Sequence, residues 1–136
     1  MAALAANRSS SRKEGRELPF LVAAGVHIFE NALVSLSGGY TIPAADTAST
    51  KFVGTAKNEC DNTNGADGDL TVTVRVQGVE QVDGSFAATD VGKTGLIVDD
   101  HTVQTAATTN NIKAGLIVEV VDSATAMLDY NAIQAI

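Results

Sequence analysis

The sequence has little of the residue types that most often carry chemistry. Its 136 residues include one cysteine, two histidines, six aromatic side chains and no tryptophan. The single cysteine, Cys60, excludes an intramolecular disulfide framework. A chain of this length buries roughly two-thirds of its unfolded surface, so one domain can fold without a metal or a disulfide. With so few rings, that core has to be built from small aliphatic side chains.

Long apolar runs are also missing. No segment approaches the roughly 20 residues that a membrane-spanning helix needs. The opening MAALAANRSSSRKEGRE differs from a secretory signal, because its apolar part is short and its positive charges follow that part. We therefore expect no membrane partner and no export by that route.

The net charge of −7 is unevenly distributed. Residues 1–16 carry four positive side chains against Glu14, a sum of +3, and these are Arg8, Arg12, Lys13 and Arg16. The other 120 residues carry five positive and fifteen negative side chains, a sum of −10. An acidic body disfavours nucleic acid as a partner, because phosphate binding needs a basic face. The basic segment is either a solvated terminus or an arm that binds another surface.

The composition favours strands. Valine, isoleucine and threonine number 36 against nine leucines, and β-branched residues suit a pleated surface. LTVTVRVQ, residues 70–77, alternates Leu70, Val72, Val74 and Val76 with polar side chains, which predicts a strand with one buried face. VHIFENALVSL predicts one or two strands, KFVGTA a strand with a bulge at Gly54, and TAMLDYNAI a last strand.

Two further patterns concern turns and pairing. Asp83-Gly84 predicts a tight two-residue hairpin. The pattern K-x-G-L-I-V at 93–98 and 113–118 predicts two similar buried strands, and ATDVGK or AADTAST predicts a short helical turn. Turn signals every 8 to 15 residues are typical of a small sandwich or barrel. We expect an extended basic arm at 1–18 and one mostly β domain, a sandwich or barrel, at 19–136.

The loop at 58–69 has the composition of a calcium site but not its register. It holds four acidic side chains, three asparagines and two glycines. A calcium loop starting at Asp61 needs glycine at its sixth position, where Ala66 stands. Asn64-Gly65 and Asp67-Gly68 are favoured turn pairs. We expect a structural loop and no metal site.

Gly92-Lys93-Thr94 resembles the end of a phosphate-binding loop. That loop needs an earlier glycine where Ala87 stands and a helix whose N-terminus faces the phosphates, yet a strand pattern follows Thr94. We expect a turn with an exposed Lys93 and no nucleotide cofactor.

No catalytic pattern is present. Asp99, Asp100 and His101 are a possible metal cluster, but no second ligand motif accompanies them. Cys60 has His27 and His101 as conceivable partners, and no G-x-S-x-G elbow surrounds Ser35 or Ser37. We expect His27 on the surface of a strand, and we expect neither an enzyme nor a cofactor.

The order of several segments does resemble a known family. The most specific are DNTNGADGDLTVTV and DVGKTGLIVDDHTV, followed by a late KAGLIVEVVD. In this order the chain is similar to the small capsid cement, or head decoration, proteins of tailed bacteriophages. The resemblance implies a β-rich structural protein without a catalytic site that stabilises an expanded capsid from outside, as a homotrimer where capsomers meet.

The resemblance also implies partners and a location. The partners are the major capsid protein and the chain itself, and the protein is made in the host bacterial cytoplasm and resides on the outer surface of the virion. Arg8, Arg12, Lys13 and Arg16 are the expected capsid-contact residues. The alternative is a virion-surface module that binds host glycans through Tyr40 and Tyr130.

Overall fold

The computed structural model describes residues 16–131, and these residues form strands with one short 3-10 turn. The expectation of a mostly β domain is confirmed. The elements are β1 Glu17–Leu21, β2 His27–Ile28, β3 Leu33–Ser37, β4 Tyr40–Pro43, β5 Lys51–Ala56, β6 Cys60–Asp61, β7 Thr71–Arg75, β8 Gln77–Asp83, the 3-10 turn Ala88–Asp90, β9 Thr94–Ile97, β10 Val103–Gln104, β11 Lys113–Asp122 and β12 Thr125–Asn131.

The first sheet is antiparallel and nearly closed. Its strand order is β1-β7-β5-β3-β4, and the chain just after β1 returns to the other edge strand through a parallel bridge between Val22 and Thr41. Ala23 N–H donates to the Thr41 carbonyl at 3.0 Å, and the Thr41 hydroxyl donates to the Leu21 carbonyl at 3.0 Å. This bridge joins the two edges of the sheet at one point.

The second sheet is built in the same way. Its order is β10-β9-β11-β12-β8, and a parallel bridge between Asp83 and Thr102 joins the end of β8 to the residue before β10. Asp83 N–H donates to the His101 carbonyl at 2.9 Å. A third, two-stranded sheet pairs β2 with β6.

Two apolar clusters hold these sheets together. We call the first the barrel core, which comprises Val22, Ile28, Val34, Val53, Ala56, Cys60, Val72, Val74 and Val76. We call the second the interlayer core, which comprises Leu33, Ala44, Phe52, Val82, Phe86, Ile97, Val103, Ala114, Ile117, Ala126, Leu128 and Tyr130. Because Leu33, Ala44 and Phe52 come from the first layer, the interlayer core joins the two layers.

Several strand predictions are confirmed. Val72, Val74 and Val76 are buried in the barrel core, although Leu70 is 43% exposed and lies outside the strand. VHIFENALVSL forms two strands, and TAMLDYN forms the last one. ATDVGK contains the 3-10 turn.

The bulge at Gly54 is also confirmed. The pairing of β3 with β5 shifts register between Val34, opposite Gly54, and Ser35, opposite Phe52. A Cβ on Gly54 would lie 1.9 Å from the carbonyl oxygen of Arg75. Glycine is therefore required by the close approach of two backbones.

The predicted hairpin at Asp83-Gly84 is wrong. After Gly84 the chain leaves the sheet, and Gly84 N–H donates to the Ala124 carbonyl at 3.1 Å. A Cβ there would lie 2.5 Å from the Val103 carbonyl oxygen, so tight packing explains this glycine. The two-residue hairpin lies instead at Ser123 and Ala124, between β11 and β12.

The two K-x-G-L-I-V segments are neighbours. β9 and β11 pair antiparallel, with Gly95 opposite Gly115. Ile97 and Ile117 are both fully buried in the interlayer core. Each segment thus places its isoleucine in one core. However, Leu116 and Val118 of the second segment are 42% and 38% exposed, so the predicted burial of that strand holds on one face only.

The division between arm and body falls slightly earlier than expected. Strand β1 begins at Glu17 and pairs with β7 from Glu17 opposite Arg75, so residues 17 and 18 belong to the sheet and not to the arm. Arg16 precedes the strand, and its carbonyl accepts the Val76 N–H at 2.9 Å. Arg8, Arg12 and Lys13 lie outside the described residues.

Two buried hydroxyl groups differ in how they are satisfied. Tyr130 is 1% exposed, its hydroxyl lies 2.7 Å from Thr55 Oγ1, and its ring packs edge-on against Phe52. Burial raises the pKa of Tyr130, so this group stays protonated. Ser35 is fully buried, and its hydroxyl has no hydrogen-bond partner among residues 16–131.

These two hydroxyls make a matched pair of variants. Tyr130→Phe leaves Thr55 Oγ1 unpaired in the core and should destabilise the protein by about 1–3 kcal/mol. Ser35→Ala removes a buried hydroxyl that has no bond to lose, and should be neutral or stabilising by up to about 1 kcal/mol. Urea unfolding of both variants measures the difference. Equal destabilisation of the two would contradict the assignment.

Candidate functional site

Arg16, the first residue that the structure describes, lies beside the end of the last strand. An open groove is lined by Arg16, Gln77, Gly78, Asp129, Tyr130 and Asn131. Asn131 pairs with Gln77 at the end of β12, and Arg16 bonds to Val76, the residue before Gln77. The described chain therefore begins and ends at one groove, and this groove contains the one capsid-contact candidate that the structure describes.

The loop at 58–69 is organised around a buried asparagine. Asn62 is 2% exposed, and its amide donates to the carbonyls of Val22 at 3.4 Å, Ala23 at 2.9 Å and Ala66 at 3.1 Å. These bonds tie the loop to the connection between β1 and β2. A Cβ on Gly65 would lie 1.9 Å from Asn62 Oδ1, so glycine makes room for this side chain.

The acidic side chains of the loop accept bonds from the protein itself. Asp67 Oδ1 accepts the Ala24 N–H at 2.7 Å, and Asp69 Oδ2 accepts the Ala66 N–H at 2.8 Å. Asp61 accepts both the hydroxyl and the backbone N–H of Thr63, and these bonds hold the pKa of Asp61 below its usual value. The carboxylates thus act as turn acceptors, which fits a structural loop.

The two asparagines at positions 62 and 64 should have unequal roles in this loop. Asn62→Ala removes a buried amide that donates to three carbonyls and leaves the Ala23 carbonyl without this donor, so it should destabilise the protein by about 2–4 kcal/mol. Asn64→Ala lies on the exposed part of the same loop and should change stability by less than about 0.5 kcal/mol. Thermal unfolding compares them, and similar losses would show that Asn62 does not organise the loop.

The turn at 90–94 is closed by its own bonds. Asp90 accepts the Ala87 N–H at 2.8 Å and pairs with Lys93 at 3.1 Å, and these contacts lower the pKa of Asp90. Gly92 N–H donates to the Ile117 carbonyl at 2.7 Å, and Thr94 begins a strand and not a helix. Internal contacts therefore replace the features that a phosphate-binding loop needs. Lys93 is exposed, as expected, but it is also paired with Asp90.

The three residues Asp99, Asp100 and His101 do come together. Their ligand atoms lie within 4.8 Å of one another, and His101 also contacts Asp83 at 3.0 Å. The bond to Asp83 is the main cause of the raised pKa of His101. However, Asp99 Oδ1 already accepts the N–H groups of His101 and Thr102. The geometry thus serves the closure of the second sheet, at the bridge between Asp83 and Thr102.

His27 and Cys60 lie on neighbouring strands but do not form a catalytic pair. His27 Nε2 lies 2.6 Å from Glu59 Oε2 and its Nδ1 lies 3.8 Å from Asp61 Oδ2, so its ring atoms face carboxylates. Cys60 is buried in the barrel core, and burial raises the pKa of its thiol. A nucleophilic thiol needs the opposite shift.

The structure also has an exposed aromatic surface that the sequence patterns above did not predict. Phe29 is 55% exposed, and its ring stacks on His27 with centroids 4.1 Å apart. We define the Phe29 surface as the depression lined by Phe29, Glu30, Asn31, Ala32, Asp100 and His101. The alternation of His27 and Phe29 with the inward-facing Val26 and Ile28 was the available signal, since it places both rings on the outer face.

A second unpredicted feature is a carboxylate that fastens a distant loop. Asp46 accepts the N–H groups of Thr109 at 3.0 Å and Asn110 at 2.9 Å, and its oxygen lies 3.3 Å from the Thr108 hydroxyl. The Asn110 amide donates to the Asp46 carbonyl at 2.9 Å. Although desolvation opposes it, this set of bonds holds the pKa of Asp46 below its usual value.

Asp46 should contribute to acid sensitivity. Because its folded-state pKa is lowered, its stabilising effect is present above the unfolded-state pKa of about 3.9 and is lost as the pH falls through the folded-state value. Asp46→Asn should lower stability at neutral pH and flatten the loss of stability in acid. Urea midpoints measured between neutral and acidic pH test this, and parallel pH profiles of variant and parent would contradict it.

The glycan-binding alternative loses one of its two proposed stacking residues. Tyr130 is buried in the interlayer core, so its ring cannot stack on a sugar at the surface. Within residues 16–131, no helix is long and apolar enough to cross a membrane.

Comparisons with protein-family models, curated proteins and solved structures found no match to this chain. The resemblance to capsid decoration proteins therefore stays a hypothesis that rests on the quoted segments.

Proposed function

We propose that this protein is a capsid decoration protein of a tailed bacteriophage, which binds the outer surface of the expanded shell as a homotrimer and stabilises it. The observation that carries the proposal is that Arg16, the residue next to the basic segment 1–15, lines a groove on the acidic body beside the last strand. The basic segment 1–15 is joined to the acidic body at this groove, and we propose that this side of the body faces the shell. The major capsid protein is the proposed partner.

The body is suited to a mechanical role. Two layers share one core, and side-chain bonds such as those of Asp46 fasten loops that are more than sixty residues apart in sequence. Contacts of modest strength suffice for attachment, because a trimer engages several shell subunits at once. Contacts within a three-fold assembly are head-to-tail interfaces that close on themselves.

The proposed effect on the shell follows from mass action. A protein that binds the expanded shell and not the unexpanded one stabilises the expanded state by about 2.7 kcal/mol per site at a hundredfold excess over Kd. Particles that lack the protein should therefore assemble but release DNA at a lower temperature. Adding purified protein back should restore their heat resistance, and bovine serum albumin at equal concentration is the control. Equal heat resistance of stripped and complete particles would overturn the proposal.

The arm should contribute to attachment. Deleting residues 2–15 removes Arg8, Arg12 and Lys13 but leaves every residue of the first sheet in place. The body should keep its circular dichroism spectrum, while co-sedimentation with expanded shells weakens and becomes less sensitive to salt. Undiminished occupancy at every salt concentration would show that the arm takes no part in attachment.

A further inference from the structure

We propose that the Phe29 surface is the docking site for the basic N-terminal segment, residues 1–15, of a second copy of this chain. The inference rests on the proposed function only in requiring that copies lie side by side. In this proposal, the basic segment of one copy crosses the Phe29 surface of a neighbouring copy before it reaches the shell.

The surface offers an immobilised ring. Phe29 is 55% exposed, and its stacking partner His27 is held by Glu59 at 2.6 Å. A guanidinium group over the free face of such a ring is attracted by the π electrons, and the attraction grows as water is excluded. Arg8 and Arg12 supply two such groups in the segment.

The surroundings of the ring are strongly negative. Glu30 and Asp100 line the depression itself. Asp83 and Asp99 lie against His101 on one side, while Glu59 and Asp61 lie against His27 on the other. Among the described residues, the cation Arg75 contacts this surface: it donates a hydrogen bond to Asn31 at 3.2 Å. Arg75 also pairs with Glu80 at 3.7 Å. The segment carries Arg8, Arg12 and Lys13 against Glu14, so the charges of the two partners are complementary.

The basic segment of an adjacent copy can reach the Phe29 surface. The segment leaves the body at Arg16, in the groove with Gln77, Gly78, Asp129, Tyr130 and Asn131. That groove shares no residue with the Phe29 surface. Fifteen residues span at most about 50 Å, which exceeds the radius of gyration of roughly 14 Å expected for a body of this size. An adjacent copy is thus within reach.

The first measurement uses a fluorescent synthetic peptide of residues 1–16 and the full-length protein. Fluorescence anisotropy should show saturable binding that weakens with salt. Phe29→Ser should raise the Kd about tenfold or more, which corresponds to about 1.4 kcal/mol. Glu30→Gln with Asp100→Asn should also raise it. Phe29→Tyr keeps the ring and should bind as the parent does.

The matched control is Val121→Ser. Val121 is an exposed apolar residue with the same 55% exposure as Phe29, but it lies in β11. This variant should bind the peptide with unchanged Kd. Thermal unfolding of each variant verifies that the body is folded. Equal binding by the parent and Phe29→Ser, or an equal loss in Val121→Ser, would overturn the proposal.

The second measurement separates a neighbour's segment from the chain's own. In sedimentation velocity, full-length Phe29→Ser should associate less than the parent at the same concentration, and deletion of residues 2–15 should have the same effect. If both variants and the parent sediment alike while the peptide still discriminates Phe29→Ser, the segment docks on its own chain and the proposal fails. Neither measurement uses shells, so both can be interpreted even if the protein proves not to bind capsids.

Discussion

The architecture depends on the contact through which the first layer completes the core of the second. The side chains of Leu33 and Phe52 project from the outer face of the first sheet and pack among the side chains of the second sheet. Thr55, on the same strand as Phe52, lies in hydrogen-bonding contact with Tyr130. Apolar contact supplies most of the attraction between layers, whereas the buried hydroxyl pair fixes their alignment, because a slip would leave both groups unpaired. The second layer has no complete core without the first, whereas the first layer also contains the barrel core.

The parts of this fold that the sequence predicted are those encoded by neighbouring residues. Val72, Val74 and Val76 alternate with polar side chains, so the buried face of β7 could be read directly. Asp83-Gly84 was misread because the same dipeptide serves a turn or a close packing position, and the carbonyl of Val103 that decides between them is about twenty residues away. Local pattern cannot distinguish these two uses of glycine.

In the candidate site, too, neighbouring residues encode the features that the sequence predicted, and distant residues decide the others. The failed register at Asp61 favoured a structural loop, but the organising role of Asn62 depends on carbonyls about forty residues earlier. The bonds of Asp46 span 62 to 64 residues. The alternation of Phe29 with Val26 and Ile28 was an available signal for its outward ring, but its stacking on His27 required the structure. The basic segment was visible as composition alone, and the position of Arg16 beside the last strand required the structure.

Arg16 and Asn131 line the same groove, and this affects the order in which a chain could connect the strands. Since these residues are neighbours in space, a short linker could join them and the chain could be opened elsewhere without changing the packing of either layer. The exposed turn at Ser123 and Ala124 is a suitable place for the new ends. Such a circular permutant would carry its free ends at the tip of the β11–β12 hairpin, away from the groove. The order of strands along the chain is therefore separable from their arrangement in space.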